Sequence, residues 1–374
     1  MRNNIWFLPK KPGMKRMLFH AINHSGLGHL NRSIAVAQWL KVGMPDLQVL
    51  FLIEGGENFI NPTGLPWIMV PGHNQTSENE NCEQITRNIL SVFRPDVLMH
   101  ETVLHEPIHC SARDAGVKEA LMTNVGGLLR DQITRSLSRM NELDLLIVLQ
   151  QREEVAREDQ ALIDQYTGRT LFAGPLVRQK DRFASDTLRK KLNLTEANNV
   201  ILLTFGGGGY NLTGELLANT LAARAAILEG YPRAKLIVIT GPYFSGELPE
   251  EDDFLCYASR FEPFLTDYLN IASAVVCMAG YSTVNEIAAS GVPAVCVPAA
   301  EADDQVGAGN MEEYALRFPN IRIGSTDTGD LALQVISALA RARDLSVTQE
   351  FSRRAKAAAE SIVGEIKRLF DDAV

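Results

Sequence analysis

The chain of 374 residues is predicted to fold as two α/β domains, each built on a parallel sheet with helices on both faces. Three observations carry this expectation. Strand-like and helix-like segments alternate through most of the length, as in sheets wound by crossover helices. The strand-like runs are continuously apolar, the pattern of strands buried on both sides. The alternation halts at residues 167–180 (TGRTLFAGPLVRQK), a connector carrying glycine and proline, and then starts again. A chain of this length also exceeds what one compact core usually holds.

In the first half, residues 17–23 (MLFHAIN) read as a buried strand, 25–29 (SGLGH) as a loop and 30–41 as a helix. Residues 47–53 (LQVLFLI) form the next strand, and 97–99, 119–123 and 145–149 supply three more. In the second half, 200–205 (VILLTF) is a strand, 206–209 a loop of glycines and 214–229 a helix. Further strands fall at 234–240, 274–278 and 292–297, and residues 346–370 have charged, helical spacing. The expected domains are 1–170 and 171–345, followed by a helix at 346–374 that returns to the first. Residues 1–13 are expected to be a disordered lead-in, with Met14 as an alternative start. No internal repeat shows by identity, although each half opens with strand, glycine loop and helix.

Composition excludes several classes. With 46% hydrophobic and 22% charged residues, the chain is globular and not disordered as a whole. A net charge of -9 argues against a general nucleic-acid binder. Cys82, Cys110, Cys256, Cys277 and Cys296 are odd in number and contain no CxxC pair, so neither a disulfide framework nor a zinc ribbon is expected. The reading is a reducing, cytoplasmic compartment. The apolar run at 5–8 is too short for a signal peptide, and no stretch reaches the roughly 20 apolar residues of a spanning helix.

The chemistry is expected at the loops. Gly26 and Gly28 precede His29 directly after the first strand, where glycines let a backbone approach a ligand and helix-start amides attract anions. A dinucleotide pattern would need a third glycine, but Asn31 stands there. Glu54, after the next strand, keeps a NAD-dehydrogenase reading open. A plain strand-to-helix turn is the ligand-free alternative. His29 sits at the sheet edge where open α/β folds bind ligands, and a neutral imidazole there accepts a proton from a hydroxyl. It could equally cap or pack against its loop.

Gly206, Gly207, Gly208 and Gly209 exceed what a turn requires, whereas a phosphate cradle of backbone amides uses them all. No Gly-Lys-Ser/Thr follows, so this is not a Walker loop. In the stretch 277–293, Gly280 starts a turn and Ser282 or Thr283 can cap a helix that ends at Gly291. Glu286 then either completes a capping box with Thr283 or binds a ribose diol one turn inside a helix whose start faces a diphosphate. Asp304 and Gln305 suit sugar hydroxyls, or a solvated acidic loop. His100-Glu101 and His105-Glu106 follow a strand and could meet an acceptor or solvent. Their spacing is not His-Glu-x-x-His, and no Asp-x-Asp occurs, so no metal is indicated. Arg353, Arg354 and Lys356 read as a solvated helix face.

These segments resemble the GT-B glycosyltransferases, in particular the MurG group of glycosyltransferase family 28. The resemblance rests on SGLGHLNRSIAVAQWL, FAGPLVR, FGGGGYN and VVCMAGYSTVNEIAASGVPAVCVP followed by ADDQ, in the order that group uses. It implies two Rossmann-like domains facing a central cleft, with a nucleotide-sugar donor, a UDP-sugar first among them, on the second. Matched by position, Gly207 and Gly208 approach the diphosphate, Arg178 reaches its phosphates, and Phe264 and Leu265 meet the base. Glu286 holds the ribose, and Asp304 with Gln305 the sugar. His29 matches a histidine assigned as base or sugar contact. The match departs at Gly209-Tyr210, where a serine-bearing loop is common, and at Asn310, which follows ADDQ later than usual. The acceptor is not named, and a membrane enters only if that acceptor is lipid-linked.

The resemblance thus implies an inverting, metal-independent transfer of a sugar to a hydroxyl or amine, with no cofactor. A nucleotide-sugar hydrolase, a 2-epimerase of the same fold, and a non-catalytic binding or docking protein are the alternatives.

Overall fold

In a computed structural model of the chain, residues 10–23, 27–55, 65–70, 76–180, 184–258, 260, 262–298 and 310–372 are described. The first half runs β1 (Arg16–Asn23), α1 (Gly28–Gly43), β2 (Gln48–Gly55), β3 (Trp67–Val70), α2 (Thr76–Phe93), β4 (Val97–Glu101) and α3 (Glu106–Asp114). It continues with β5 (Lys118–Thr123), α4 (Gly127–Met140), β6 (Leu145–Val148), α5 (Arg157–Ile163) and β7 (Arg169–Phe172). The second half runs α6 (Ala184–Lys191), β8 (Asn199–Thr204), α7 (Leu212–Ala222), α8 (Arg224–Gly230), β9 (Ala234–Ile239), β10 (Leu255–Tyr257), α9 (Leu265–Ile271) and β11 (Ala274–Met278). It ends with α10 (Tyr281–Ser290), β12 (Ala294–Val297), α11 (Asn310–Arg317), β13 (Ile321–Ile323), α12 (Thr328–Leu339) and α13 (Leu345–Asp372).

The strands form two parallel sheets, ordered β3-β2-β1-β4-β5-β6-β7 and β10-β9-β8-β11-β12-β13. Both are doubly wound and Rossmann-like. In each, the order reverses beside the first strand: β1 lies between β2 and β4, and β8 between β9 and β11. Loops leaving the two strands at such a point diverge and open a crevice for ligand.

Side-chain alternation splits each strand between two cores. Met17 and Phe19 of β1 join Leu30, Ile34, Ala37 and Leu40 of α1 on one sheet face. Leu18 joins Leu50, Leu52 and Leu98 with α2 and α3 on the other. The long final helix belongs to both halves. Its Phe351 and Ala355 pack in a core of the second sheet, and its Ala358, Ile362, Ile366, Leu369 and Phe370 in the core of the first.

Differences from the sequence reading have local causes. The expected connector contains β7, an edge strand half-buried at every position, so it lacks a fully apolar run. The edge strands β3, β10 and β13 are only three or four residues long. The helix expected at 214–229 is two helices, α7 and α8, broken at Ala223. Cys277 and Cys296 are direct partners across β11 and β12 and fully buried, their thiols 3.5 Å apart.

Candidate active site

The crevice of the first sheet is built by the starts of α1 and the end of β4. Gly28 opens α1, and His29 is its second residue. The His29 ring is 29% exposed, and its Nδ1 donates to the carboxylate of Glu101, the last residue of β4, which is fully buried. The other Glu101 oxygen accepts from Arg32 Nε and, at 3.0 Å, from Thr102 Oγ1. Arg32 Nη2 also donates to Thr102 Oγ1 at 3.1 Å. Burial pushes the Glu101 carboxyl up, but the Arg32 charge and the contacts with His29 and Arg32 outweigh it and hold the group at about 2. Arg32 Nη2 also stands 3.0 Å from the same Nδ1; in the tautomer whose Nδ1 donates to the ionised carboxylate, the lone pair of the ring lies on Nε2. Thr102 holds this corner with φ 66, a strained conformation for a β-branched residue and one found mostly at functional sites.

In the second sheet the crevice lies between the loops after β8 and β11. Gly280 is the N-cap of α10, so Tyr281, Ser282 and Thr283 are its first three residues and their amides lack intrahelical acceptors. This removes the capping-box role for Glu286, because Thr283 stands inside the helix. Among the described residues, the buried Ser282 Oγ has no hydrogen-bond partner. The helix ends at Gly291, φ 67, as its sequence predicts.

The four glycines of the other loop do different things. Gly206 has φ 62 and open space where a side chain would stand, and it lines a small open cleft with Thr204, Leu265, Thr283, Arg178 and Asn31. Gly208 has φ 80, and a Cβ there would strike the carbonyl of Thr240. Its smallness therefore serves the packing of this loop against Thr240, while its backbone still lines an open pocket with Gly209, Tyr210 and Thr213. Gly207 accepts from Tyr243 N at 3.0 Å through its carbonyl.

Arg178, which lines this cleft, pairs with Glu286. Nε to Oε1 is 2.5 Å and Nη2 to Oε2 is 2.8 Å, a bidentate pair that is almost fully buried. Arg178 Nη1 also donates to Asn31 Oδ1 at 3.2 Å and to the Glu262 carbonyl at 2.9 Å. Leu265, the first residue of α9, lines the same cleft, with Phe264 as the N-cap. The two crevices adjoin. The Arg32 guanidinium stands over the ring of Tyr281 at 5.6 Å, and Tyr281 Oη donates to Leu149 O at 2.7 Å.

Three expectations change. Neighbours in a strand point to opposite faces, so His100 does not share the side of Glu101. It is fully buried on the α2/α3 face and cannot meet an acceptor there. Glu101 is likewise buried, and its role is to hold His29. Glu54, the residue that kept a NAD site open, is fully buried between His20 and His105. Gly26, Asp304 and Gln305 lie outside the described residues. What the sequence reading missed is Arg32, legible only as the position one turn after His29 on the same helix face.

Residues 211–318 match the model of the glycosyltransferase family 28 C-terminal domain. The chain is similar to the UDP-N-acetylglucosamine--N-acetylmuramyl-(pentapeptide) pyrophosphoryl-undecaprenol N-acetylglucosamine transferase of Acetivibrio thermocellus. The two are 24% identical over 293 residues, 72% of this chain and 75% of that protein. The enzyme of the same description from Ectopseudomonas mendocina is 27% identical over 222 residues, 56% of this chain and 62% of that one. In fold it resembles a UDP-glucosyltransferase from Polygonum tinctorium, with a TM-score of 0.61 at 13% identity, covering 96% and 99% of the two chains. No described helix is long and apolar enough to cross a membrane. Two facing Rossmann-like sheets, the matched donor-side segment and these relatives make the chain a glycosyltransferase enzyme of the GT-B fold that resembles the MurG group of family 28.

Proposed function

We propose that the chain transfers a sugar from a UDP-sugar to an acceptor hydroxyl, inverting the anomeric centre and using no metal at the diphosphate. The observation that carries the reading is His29 held by Glu101 beside a helix start whose amides and Ser282 hydroxyl await an anion. His29 Nε2 takes the proton of the acceptor hydroxyl as its oxygen attacks the anomeric carbon from the face opposite the diphosphate. The bond from that carbon to the diphosphate oxygen breaks, and its electron pair leaves with UDP. The charge developing there is met by the α10 amides, Ser282 and Arg178. Glu101 stays ionised and stabilises the imidazolium.

In this reading the Arg178–Glu286 pair opens when donor binds, Arg178 turning to phosphate and Glu286 to the ribose diol. Each exchanges one buried charge-assisted contact for another, which keeps the cost of opening small. UDP is the preferred nucleotide because both curated relatives are described as UDP-N-acetylglucosamine transferases. Their acceptor is lipid-linked by description, and membrane contact for this chain follows only with such an acceptor.

Thermal-shift binding of UDP, GDP, dTDP and NAD comes first, since a ligand of the native state raises the midpoint. UDP release from UDP-sugars with and without an acceptor panel then separates transfer from hydrolysis. A midpoint raised by NAD alone would overturn the reading.

A further inference from the structure

On the α2/α3 side of the first sheet, ionisable groups form an unbroken line, buried up to its last member, the exposed Glu142. His105 Nδ1 meets Glu54 Oε1, and His20 Nε2 meets the same oxygen at 2.8 Å. His20 Nδ1 faces His100 Nδ1 at 3.2 Å, and His100 Nε2 faces Glu119 Oε1 at 2.8 Å. Glu119 contacts His109 Nδ1 at 3.0 and 3.1 Å, and His109 Nε2 lies 3.0 Å from Glu142 Oε2. The line crosses β2, β1, β4 and β5, roofed by α3.

The hydrogens along this line conflict at its centre. Ionised carboxylates only accept, so His20 and His100 each need a hydrogen on Nε2. Two neutral rings protonated there turn bare Nδ1 lone pairs toward one another at 3.2 Å. One additional cation resolves this, and only one. If a metal takes Nε2 of His100, that ring carries its hydrogen on Nδ1, donates it to His20 Nδ1, and His20 donates from Nε2 to Glu54. Metals at both ends would set two N–H groups against each other.

The geometry favours the His100 end. We propose that His100 Nε2, His109 Nδ1 and the carboxylate of Glu119 bind one divalent transition-metal ion of the zinc type, with a structural role. Bonds of about 2.0–2.1 Å at tetrahedral angles separate ligand atoms by roughly 3.3 Å. The separations along Glu119 are 2.8 to 3.1 Å, and the three residues are buried with their ligand atoms clustered within 4.8 Å. Each ligating ring also has an outer partner for its other nitrogen: Glu142 for His109, and His20 backed by Glu54 for His100. Such partners fix the tautomer and orientation of metal-bound histidines. At the other end, where His20, Glu54 and His105 also converge, the His105–Glu54 contact is shorter than any around Glu119 and so lies further from the separation that two ligands of one ion keep. The ion would staple β4 and β5 to α3. It lies across the sheet from His29, so it takes no part in transfer.

The test uses the full chain without an affinity tag. Protein stripped with a chelator and dialysed against Co²⁺ should retain about one equivalent, show visible d–d absorption, and lose it to Zn²⁺. Absorption-edge spectroscopy of the wild type should give nitrogen and oxygen ligands including two imidazoles, a result independent of any variant. His109→Gln should abolish the bands, and Glu54→Gln should keep them. Wild-type protein that stays folded but retains no Co²⁺ would overturn the proposal and leave a proton shared by His20 and His100. Bands that survive His109→Gln, or vanish with Glu54→Gln, would overturn it as well.

Discussion

Replacing Glu101 by Gln tests how His29 is made a base. The carboxylate accepts from three donors: His29 on one oxygen, Arg32 and Thr102 on the other. An amide has one accepting oxygen. Arg32, a buried permanent cation, claims it, which turns the amide NH₂ toward His29 Nδ1. The ring must then accept at Nδ1 and carry its hydrogen on Nε2, where it can no longer take a proton. A wrong tautomer in an acid-histidine pair lowers turnover by roughly 10²–10⁴-fold. UDP affinity should change less than threefold, about 0.6 kcal/mol, because the α10 amides are untouched.

Stability gives a second readout. Holding a buried carboxyl at about 2 contributes roughly 3 kcal/mol at neutral pH. The folded value is depressed, so this share is present above the ordinary carboxylate range and is lost as pH falls toward 2. The gap in unfolding free energy between wild type and Glu101→Gln should therefore be widest near neutrality and narrow on acidification. The assays are UDP release against pH and urea unfolding at several pH values. Turnover within threefold of wild type, or a defect confined to KM, would refute the base assignment.

Other outcomes follow from the donor side. Ser282→Ala removes a hydroxyl with no partner among the described residues, so stability should hold within about 0.5 kcal/mol while UDP binding weakens some 5- to 20-fold by calorimetry. Arg178→Ala leaves Glu286 buried and unpaired, and should cost about 3–5 kcal/mol in urea unfolding. Gly208→Ala meets the Thr240 carbonyl and should cost more than about 2 kcal/mol. Gly206→Ala meets open space and should show only the roughly 1–2 kcal/mol of left-handed backbone strain, read by thermal unfolding.

The parts of this molecule that were legible in its sequence are the local ones. Continuous apolar runs marked β1, β2, β8 and β11 because those strands are covered on both faces. Gly291 marked the end of α10 because a left-handed C-cap favours glycine. The edge strands hid because half of each faces solvent. Alternation along β4 already separates His100 from Glu101, so their division between faces was readable. The meeting of His20, His100 and Glu119 was not. It depends on β1 lying beside β4, and β4 beside β5, and strand order is a long-range outcome that no spacing encodes. The Arg178–Glu286 pair is the same kind of fact, joining residues 108 apart.

The final helix has a consequence for how the protein is made. Ala358, Ile362, Ile366, Leu369 and Phe370 belong to the core that α1 and β1 begin. A ribosome adds these residues after every strand of both sheets. The half of the chain that emerges first therefore waits, with an apolar groove uncovered, until this helix is made, while the later half already holds its own strands and helices. Emergence of the final helix, not emergence of the first half, is the event that closes the amino-terminal core.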